Sequence, residues 1–242
     1  IESAVFAPVP YSPTYRSRDN PASMAAPDSL HWFGTDEDGA DVLSRMIHAC
    51  RIALAIGLIS TGIALAIGIL YGGVMGFFGG WLDIAMMRFL EMFEAIPALF
   101  LLLMVVAFFG RDIYLIMVVI GLTSWTGFAR YLRAEFLKLR NQDYVQAAQA
   151  LGLRLWSVMF RHMLPNGVAP LLVAASFSIA SAILAEATLS FLGLGLVDEP
   201  SWGGMLATAR DQFFTTPWIS VFPGVAIFIT VLGLNLFGDG LR

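Results

Sequence analysis

Few residues in this chain have the chemistry to act alone. Glu186 is the one carboxylate in the apolar run from Asn166 to Phe191, and desolvating a charge in such a run is costly enough to make it a functional candidate. It lies 20 residues past Asn166, about 30 Å along a helix, close to the outer end of the run. It therefore serves either an outer gate and substrate path or an interface pairing with nearby loops. Arg88, Glu91 and Glu94 recur at i, i+3 spacing, which charges one helix face. They form either an intrahelical ion pair at the membrane surface or the lining of an inward vestibule.

Catalytic patterns are missing. A phosphate-binding GxxxxGK[ST] loop needs a lysine after glycine, and the single lysine, Lys138, follows Leu137, so ATP hydrolysis by that route is excluded. His31, His48 and His162 fall in separate segments, without HExxH or CxxC spacing, and no GxSxG elbow occurs. Cys50 stands alone, which rules out an intrachain disulfide or a cysteine metal cage. No catalytic, metal or cofactor residue is expected on this chain, and an enzyme acting alone in the membrane is disfavoured.

A more informative constellation runs from Asp143 to Pro165. Asp143 is placed to cap a helix with Gln146 at its N3 position, a variant of the capping box. Ala147, Ala148 and Ala150 favour helix, and Gly152 suits the residue just past the helix end, where φ is positive. A second helix is expected from Arg154 to Met163, stopped before Leu164-Pro165. On the first helix Tyr144, Val145, Ala148 and Leu151 form an apolar stripe too small to need a core of its own and suited to a partner's groove.

The elements around this segment are membrane spans. Of 242 residues 58% are hydrophobic and 13% charged, against about 25% charged in soluble domains. With a net charge of -4 and no basic stripe outside one loop, a nucleic-acid partner is excluded. A spanning helix needs about 20 apolar residues. Five runs qualify: Ile52–Leu82, Ile84–Phe109, Ile113–Ala129, Asn166–Phe191 and Gln212–Gly238. They correspond to spans near 52–76, 84–109, 113–130, 166–190 and 217–238, with an inner loop 131–165 and an outer loop 191–216.

The run Gly72 to Gly80 is expected to end the first span and turn, and Pro97 to kink the second. Gly57, Gly62, Gly68, Ala175 and Ala180 allow close helix approach, while Trp125, Trp156, Trp202 and Trp218 fit interface belts. Six of 14 basic residues (Arg130, Arg133, Lys138, Arg140, Arg154, Arg161) lie between the third and fourth spans, which puts that loop inside. Arg130, Arg133, Lys138 and Arg140 suit either a docking partner or anionic lipid. Residues 1–50 then lie outside, in keeping with seven acidic residues from Glu2 to Asp41. An outside start needs a cleaved leader or an earlier helix, and Ala4-Val5-Phe6-Ala7 before prolines reads as that helix's exit. Six spans are expected in the intact protein. In the outer segment the prolines (Pro8, Pro10, Pro13, Pro21, Pro27) favour extended chain, and Thr35 or Asp36 is placed to cap a short helix leading to Arg45.

The order Gln146-Ala147-Ala148, Gly152, Leu164-Pro165 resembles the "EAA" loop of binding-protein-dependent ABC importer permeases, with Gln146 where glutamate is usual and His162 where isoleucine is common. Gly34-Thr35-Asp36, Gly39, Asp41 and Ser44-Arg45 resemble the outer-loop motif of the dipeptide, oligopeptide and nickel permease group, C-type subunit, with Ala40 in place of arginine. Leu189–Gly195, Pro200–Leu206 and Asn235–Arg242 are similar to the same group.

That resemblance implies an all-α, polytopic, type I ABC importer permease fold in a bacterial plasma membrane, with five of six helices present. It implies a second homologous permease subunit, two ATP-binding subunits carrying ATP and Mg, and an external or periplasmic solute-binding protein. The cargo implied is a di- or oligopeptide, with nickel chelates, glutathione or sugars as alternatives. Docking on the ATPase is implied for Asp143, Tyr144, Gln146, Ala147, Ala148, Leu151, Gly152, Leu164 and Pro165. A rival from another class, an ion-coupled secondary transporter, calls for charged broken helices at the midplane, where only Glu186, Glu91 or Glu94 would serve. A membrane scaffold whose inner loop binds another partner is the third alternative.

Overall fold

The computed structural model describes residues 9, 11–13, 23–196 and 199–241. The Ala4–Ala7 run, Pro8, Pro10, Pro21 and Arg242 lie outside the described residues. The described chain is helical throughout, apart from turns and a single bridge between Thr35 and Asp41. In order come α1 (Val42–Phe78), α2 (Gly80–Glu94), α3 (Ala98–Phe109), α4 (Ile113–Leu139), α5 (Asp143–Ala150), α6 (Leu155–Ser157), a π-helical turn (Val158–Met163), α7 (Leu164–Gly167), α8 (Ala169–Phe191), α9 (Trp202–Ala209) and α10 (Trp218–Gly240). Among the described residues α1, α4, α8 and α10 are each long and apolar enough to cross a membrane, and α2 with α3 make a fifth candidate bent by 64°.

The chain divides into two compact units, Ile1–Ala55 with Ile183–Val231, and Ile56–Ala182 with Leu232–Arg242. In the first, the polar motif before α1 is a capping device. The Asp41 carboxylate accepts the Ser44 N–H at 2.8 Å and meets His31 Nδ1 at 2.9 Å. Asp41 thus caps α1 in the place expected for Thr35 or Asp36, and the helix it starts has 37 residues. Asp36 closes its own turn, accepting the Ala40 N–H at 2.8 Å, and pairs with Arg45. Gly39 turns at φ 77°, a left-handed conformation that glycine adopts without strain. Phe33 stacks on Phe222 at 4.0 Å.

In the second unit α1 and α4 approach closely. A Cβ on Gly68, Gly72 or Gly76 would come under 3.0 Å from atoms of Phe128, Ala129 or Phe136. These glycines, at i, i+4, i+8, form a flat stripe on which α4 lies. Gly72 and Gly76 therefore stay inside the helix, and the expected turn shrinks to Gly79 and Gly80, at φ 63° and 58°. The sequence marks the glycines but does not show which of them face a neighbour.

Pro97 does more than kink the second span. It takes φ -63° and ψ 119° as the cap of α3, so the helix breaks at residues 95–97. Trp125 and Trp202 are buried in the protein, contrary to the expectation of an interface belt. Trp125 packs edge-on against Tyr71 at 4.8 Å, in a cluster with Ala64, Leu90, Phe128 and Ala129.

Candidate functional site

The segment from Asp143 to Pro165 is built from its turn outward. Gly152 adopts φ 72°. Its N–H donates to Gln149 O at 2.9 Å, and the Leu153 N–H to Ala148 O at 3.2 Å, the paired bonds of a Schellman motif. At the other end, Gln142 occupies the cap position without a side-chain cap bond, and Asp143 is the first helical residue. The expected capping box is absent. Gln146 Nε2 instead donates to Asn141 O at 3.3 Å, and Asp143 acts only through its charge at the positive helix end.

The apolar stripe divides. Val145 and Ala148 are buried and join Leu132, Phe136, Val158, Met159, Met163 and Leu171 in one core. They anchor α5 to α4 and the π-turn of the same chain, which corrects the expectation that the whole stripe awaits a partner. Tyr144 and Leu151 face outward, with Leu151 81% exposed. Leu153, Leu155 and Trp156 are also exposed, so the apolar surface on offer is centred on the Schellman turn and α6. Asp143, Gln146 and Ala147 lie on the exposed side.

Leu164-Pro165 does not stop the second helix. Helical chain continues through α7, with Pro165 in its first turn, where a missing N–H costs little. In the π-turn before it, His162 Nδ1 meets Ser157 O at 2.9 Å. Leu164 packs on the core while Pro165 is exposed. A cavity of about 670 Å³ beside α5 is lined by Arg140, Gln146, Gln149, Phe77 and Phe78.

Ion pairs engage Arg130, Arg133 and Lys138 at the head of this loop, together with Arg88. Arg133 grips Asp83 at 2.5 and 2.6 Å, and Arg130 meets Glu94 at 2.5 Å. Lys138 stands 3.8 Å from Glu135, and Arg88 pairs with Glu91 at 2.6 Å. Arg130 and Arg133 are thus engaged within the chain. Their partners Asp83 and Glu94 lie on α2, at sequence separations of 50 and 36, beyond the reach of any local pattern.

Glu186 belongs to the first unit and Glu91 and Glu94 to the second. Glu186 is 1% exposed. Its carboxylate accepts the Ser190 hydroxyl at 2.5 Å, and the Ser201 hydroxyl also reaches it. Ser201 in turn accepts the Gly204 N–H at 3.1 Å and so caps α9. Trp202 Nε1 donates to Met46 O at 3.2 Å, and Gly203 lies so close to Ala187 that a Cβ would clash with its backbone. The Pro200–Leu206 motif is therefore a plug seated on α8, with Glu186 as its socket. Of the two alternatives for Glu186, pairing with a nearby loop is the nearer, since Ser201 lies in the outer loop 191–216, and the serine four residues on was visible in the sequence.

Residues 54–242 match the family described as binding-protein-dependent transport system inner membrane component. A dipeptide transport system permease protein of Alkalihalophilus pseudofirmus is 35% identical over 240 residues, covering 99% of this chain and 79% of the relative. An oligopeptide transport system permease protein of Haemophilus influenzae is 39% identical, with 95% and 75% covered. A glutathione transport system permease protein of Pectobacterium atrosepticum is also 39% identical, with 89% and 72% covered. Among solved structures, the inward-facing MetNI methionine ABC transporter aligns with a TM-score of 0.63 at 14% identity, covering 83% of this chain and 96% of that one. The helical architecture and the family match agree: the chain belongs to the binding-protein-dependent inner membrane components, and it is a multi-pass permease of the type I ABC importer fold.

Proposed function

We propose that this chain carries di- or oligopeptides across the membrane as one permease of an ATP-driven importer. In this reading a second homologous permease completes the path, two ATP-binding subunits supply ATP and Mg chemistry, and an external solute-binding protein delivers the cargo. The segment 131–165 faces the cytoplasm, as its basic residues favour, and residues 143–165 transmit the ATPase motion. The observation that carries the docking role is the two-sidedness of α5. One face is sealed into the chain's own core by Val145 and Ala148, while Tyr144, Ala147 and Leu151 are presented outward beside exposed Leu155 and Trp156. An exposed aromatic and aliphatic cluster of this kind suits a partner's groove.

Peptide cargo rests on the relatives that carry peptides in their names. A glutathione-type cargo, itself peptide-like, has the support of one relative at similar identity.

Co-purification with the ATP-binding subunits tests docking. Ala147→Arg together with Leu151→Glu alters only exposed positions, so association and ATP-dependent peptide uptake in vesicles should both fall while the permease still folds. Full association and uptake in that double variant sinks the assignment. Absence of ATP-driven peptide uptake by the unaltered complex sinks the cargo.

A further inference from the structure

Two adjoining cavities open between α4 and α8 in the second unit. One, of about 360 Å³, is lined by Ser124, Gly127, Phe128, Ser178 and Ser181 together with residues of the other. The other, of about 460 Å³, has Asp239 and Leu241 at its edge. Tyr131, Ala174 and Phe177 line both, so the two make one groove. Each chamber falls within the range of about 300–1,000 Å³ that small-molecule sites occupy.

The groove is shaped by specific residues. Gly127 is exposed with open space where a Cβ would stand, which keeps the α4 wall low. Gly238 is buried, and a Cβ there would come within 3.0 Å of Ser176. Its missing side chain lets the end of α10 lie on α8, and this seats Asp239 at the mouth. The Asn235–Arg242 motif thereby acquires a purpose beyond packing.

The chamber lined by Ser124, Ser178 and Ser181 does not suit lipid tails. The Ser181 side chain is exposed and makes no hydrogen bond among the described residues. Ser124 donates to Ile120 O at 2.8 Å, and Ser178 accepts from Thr61 at 3.3 Å, which leaves both with spare capacity toward the groove. Unsatisfied hydroxyl capacity in hydrocarbon is costly. A peptide backbone offers matching donors and acceptors at every residue. Asp239 is the one charged residue in the lining of either chamber, and its sign is complementary to an α-ammonium. Apart from that, the walls are neutral: hydroxyl and aromatic groups around Ser124, with aliphatic Ala169, Pro170, Val173 and Leu241 in the larger chamber, none of which selects a charged side chain.

We propose that this groove of α4 and α8 carries the translocated peptide, with Asp239 receiving its terminal ammonium and Ser124, Ser178 and Ser181 hydrogen-bonding its backbone. The proposal rests on the peptide-importer reading above.

The test uses the assembled transporter in vesicles, in a Cys50→Ala background, with Ser124→Cys, Ser181→Cys or, outside the groove on α4, Val118→Cys. The thiolate of the introduced cysteine attacks a cationic, water-soluble methanethiosulfonate, forming a mixed disulfide and releasing methanesulfinate, and apolar surroundings suppress the thiolate, so positions 124 and 181 should react at least about ten-fold faster than position 118. A free dipeptide at millimolar concentration should slow that reaction, and adding Asp239→Asn should remove the protection while labelling persists. Reaction only with a lipid-soluble maleimide would mean that the face meets lipid. Failure of both reagents would mean that another chain covers it. Labelling that the dipeptide does not slow would mean water without a peptide site. Each of these three overturns the proposal, even if the unmodified complex imports peptide. Loss of uptake by the unmodified complex would instead count against the importer reading.

Discussion

Asp83, in the first turn of α2, and Arg133 of α4 form a two-pronged ion pair at 2.5 and 2.6 Å. The carboxylate side chain is 9% exposed and the guanidinium 28%. Such a pair fixes α2 against α4 through geometry as well as charge.

Removing one partner leaves the other desolvated, so Asp83→Ala should lower stability by about 1–3 kcal/mol. Replacing both, with Arg133→Met added, should recover part of that loss. Thermal midpoints in detergent for the two singles and the double would show the coupling; additive losses would mean that the pair is idle.

The glycine stripe on α1 makes a sharper demand. Gly72→Ala forces a methyl against the Ala129 backbone, and overpacking of this kind costs about 1–3 kcal/mol. Gly62→Ala meets nothing within 4 Å and should be neutral or gain about 0.5–1 kcal/mol from helix propensity. Unfolding temperatures of the two variants should therefore move in opposite directions or, at least, differ.

Ala147 and Ala148 are adjacent but face opposite ways. Ala148→Arg drives an unpaired charge into the cluster with Phe136 and Met159 and should destabilise by about 3 kcal/mol or more. Ala147→Arg should leave the melting temperature unchanged. Equal melting curves for the two would show that α5 is not anchored by this face.

At Glu186, substitution by alanine orphans two hydroxyls, those of Ser190 and Ser201. The expected loss is about 1–3 kcal/mol, whereas Glu186→Gln keeps a carbonyl acceptor for one hydroxyl and offers an amide donor to the other, and should lose less. Because Ser201 caps α9, limited proteolysis of residues 199–216 should quicken in Glu186→Ala and not in Glu186→Gln.

The spans were evident in the sequence because hydrocarbon tolerates only long apolar runs, and Ile52–Leu82 or Gln212–Gly238 leave no other choice. Gly152 was equally readable, since a glycine just past an alanine-rich helix suits the positive φ of a helix end. What escaped was anything set by a distant neighbour. The Asp83–Arg133 and Glu94–Arg130 pairs join segments whose contact no local spacing encodes. The split of the Val145, Ala148, Tyr144, Leu151 stripe follows from where α4 lies, and helical periodicity identifies a face without saying what covers it. Leu164-Pro165 read as a stop because proline ends most helices, yet a π-turn delivered it to the one position where it is tolerated.

The seating of Val145 and Ala148 has a mechanical consequence. Both are closed in by Phe136, Val158 and Met159, and well-packed interiors have low compressibility. A load on α5 therefore has no soft joint on that side in which to dissipate, and α4 must move with it. The π-turn at Val158–Met163 belongs to the same packed block, since Val158, Met159 and Met163 are buried in that core. The short helix is fixed to α4 as a rigid handle.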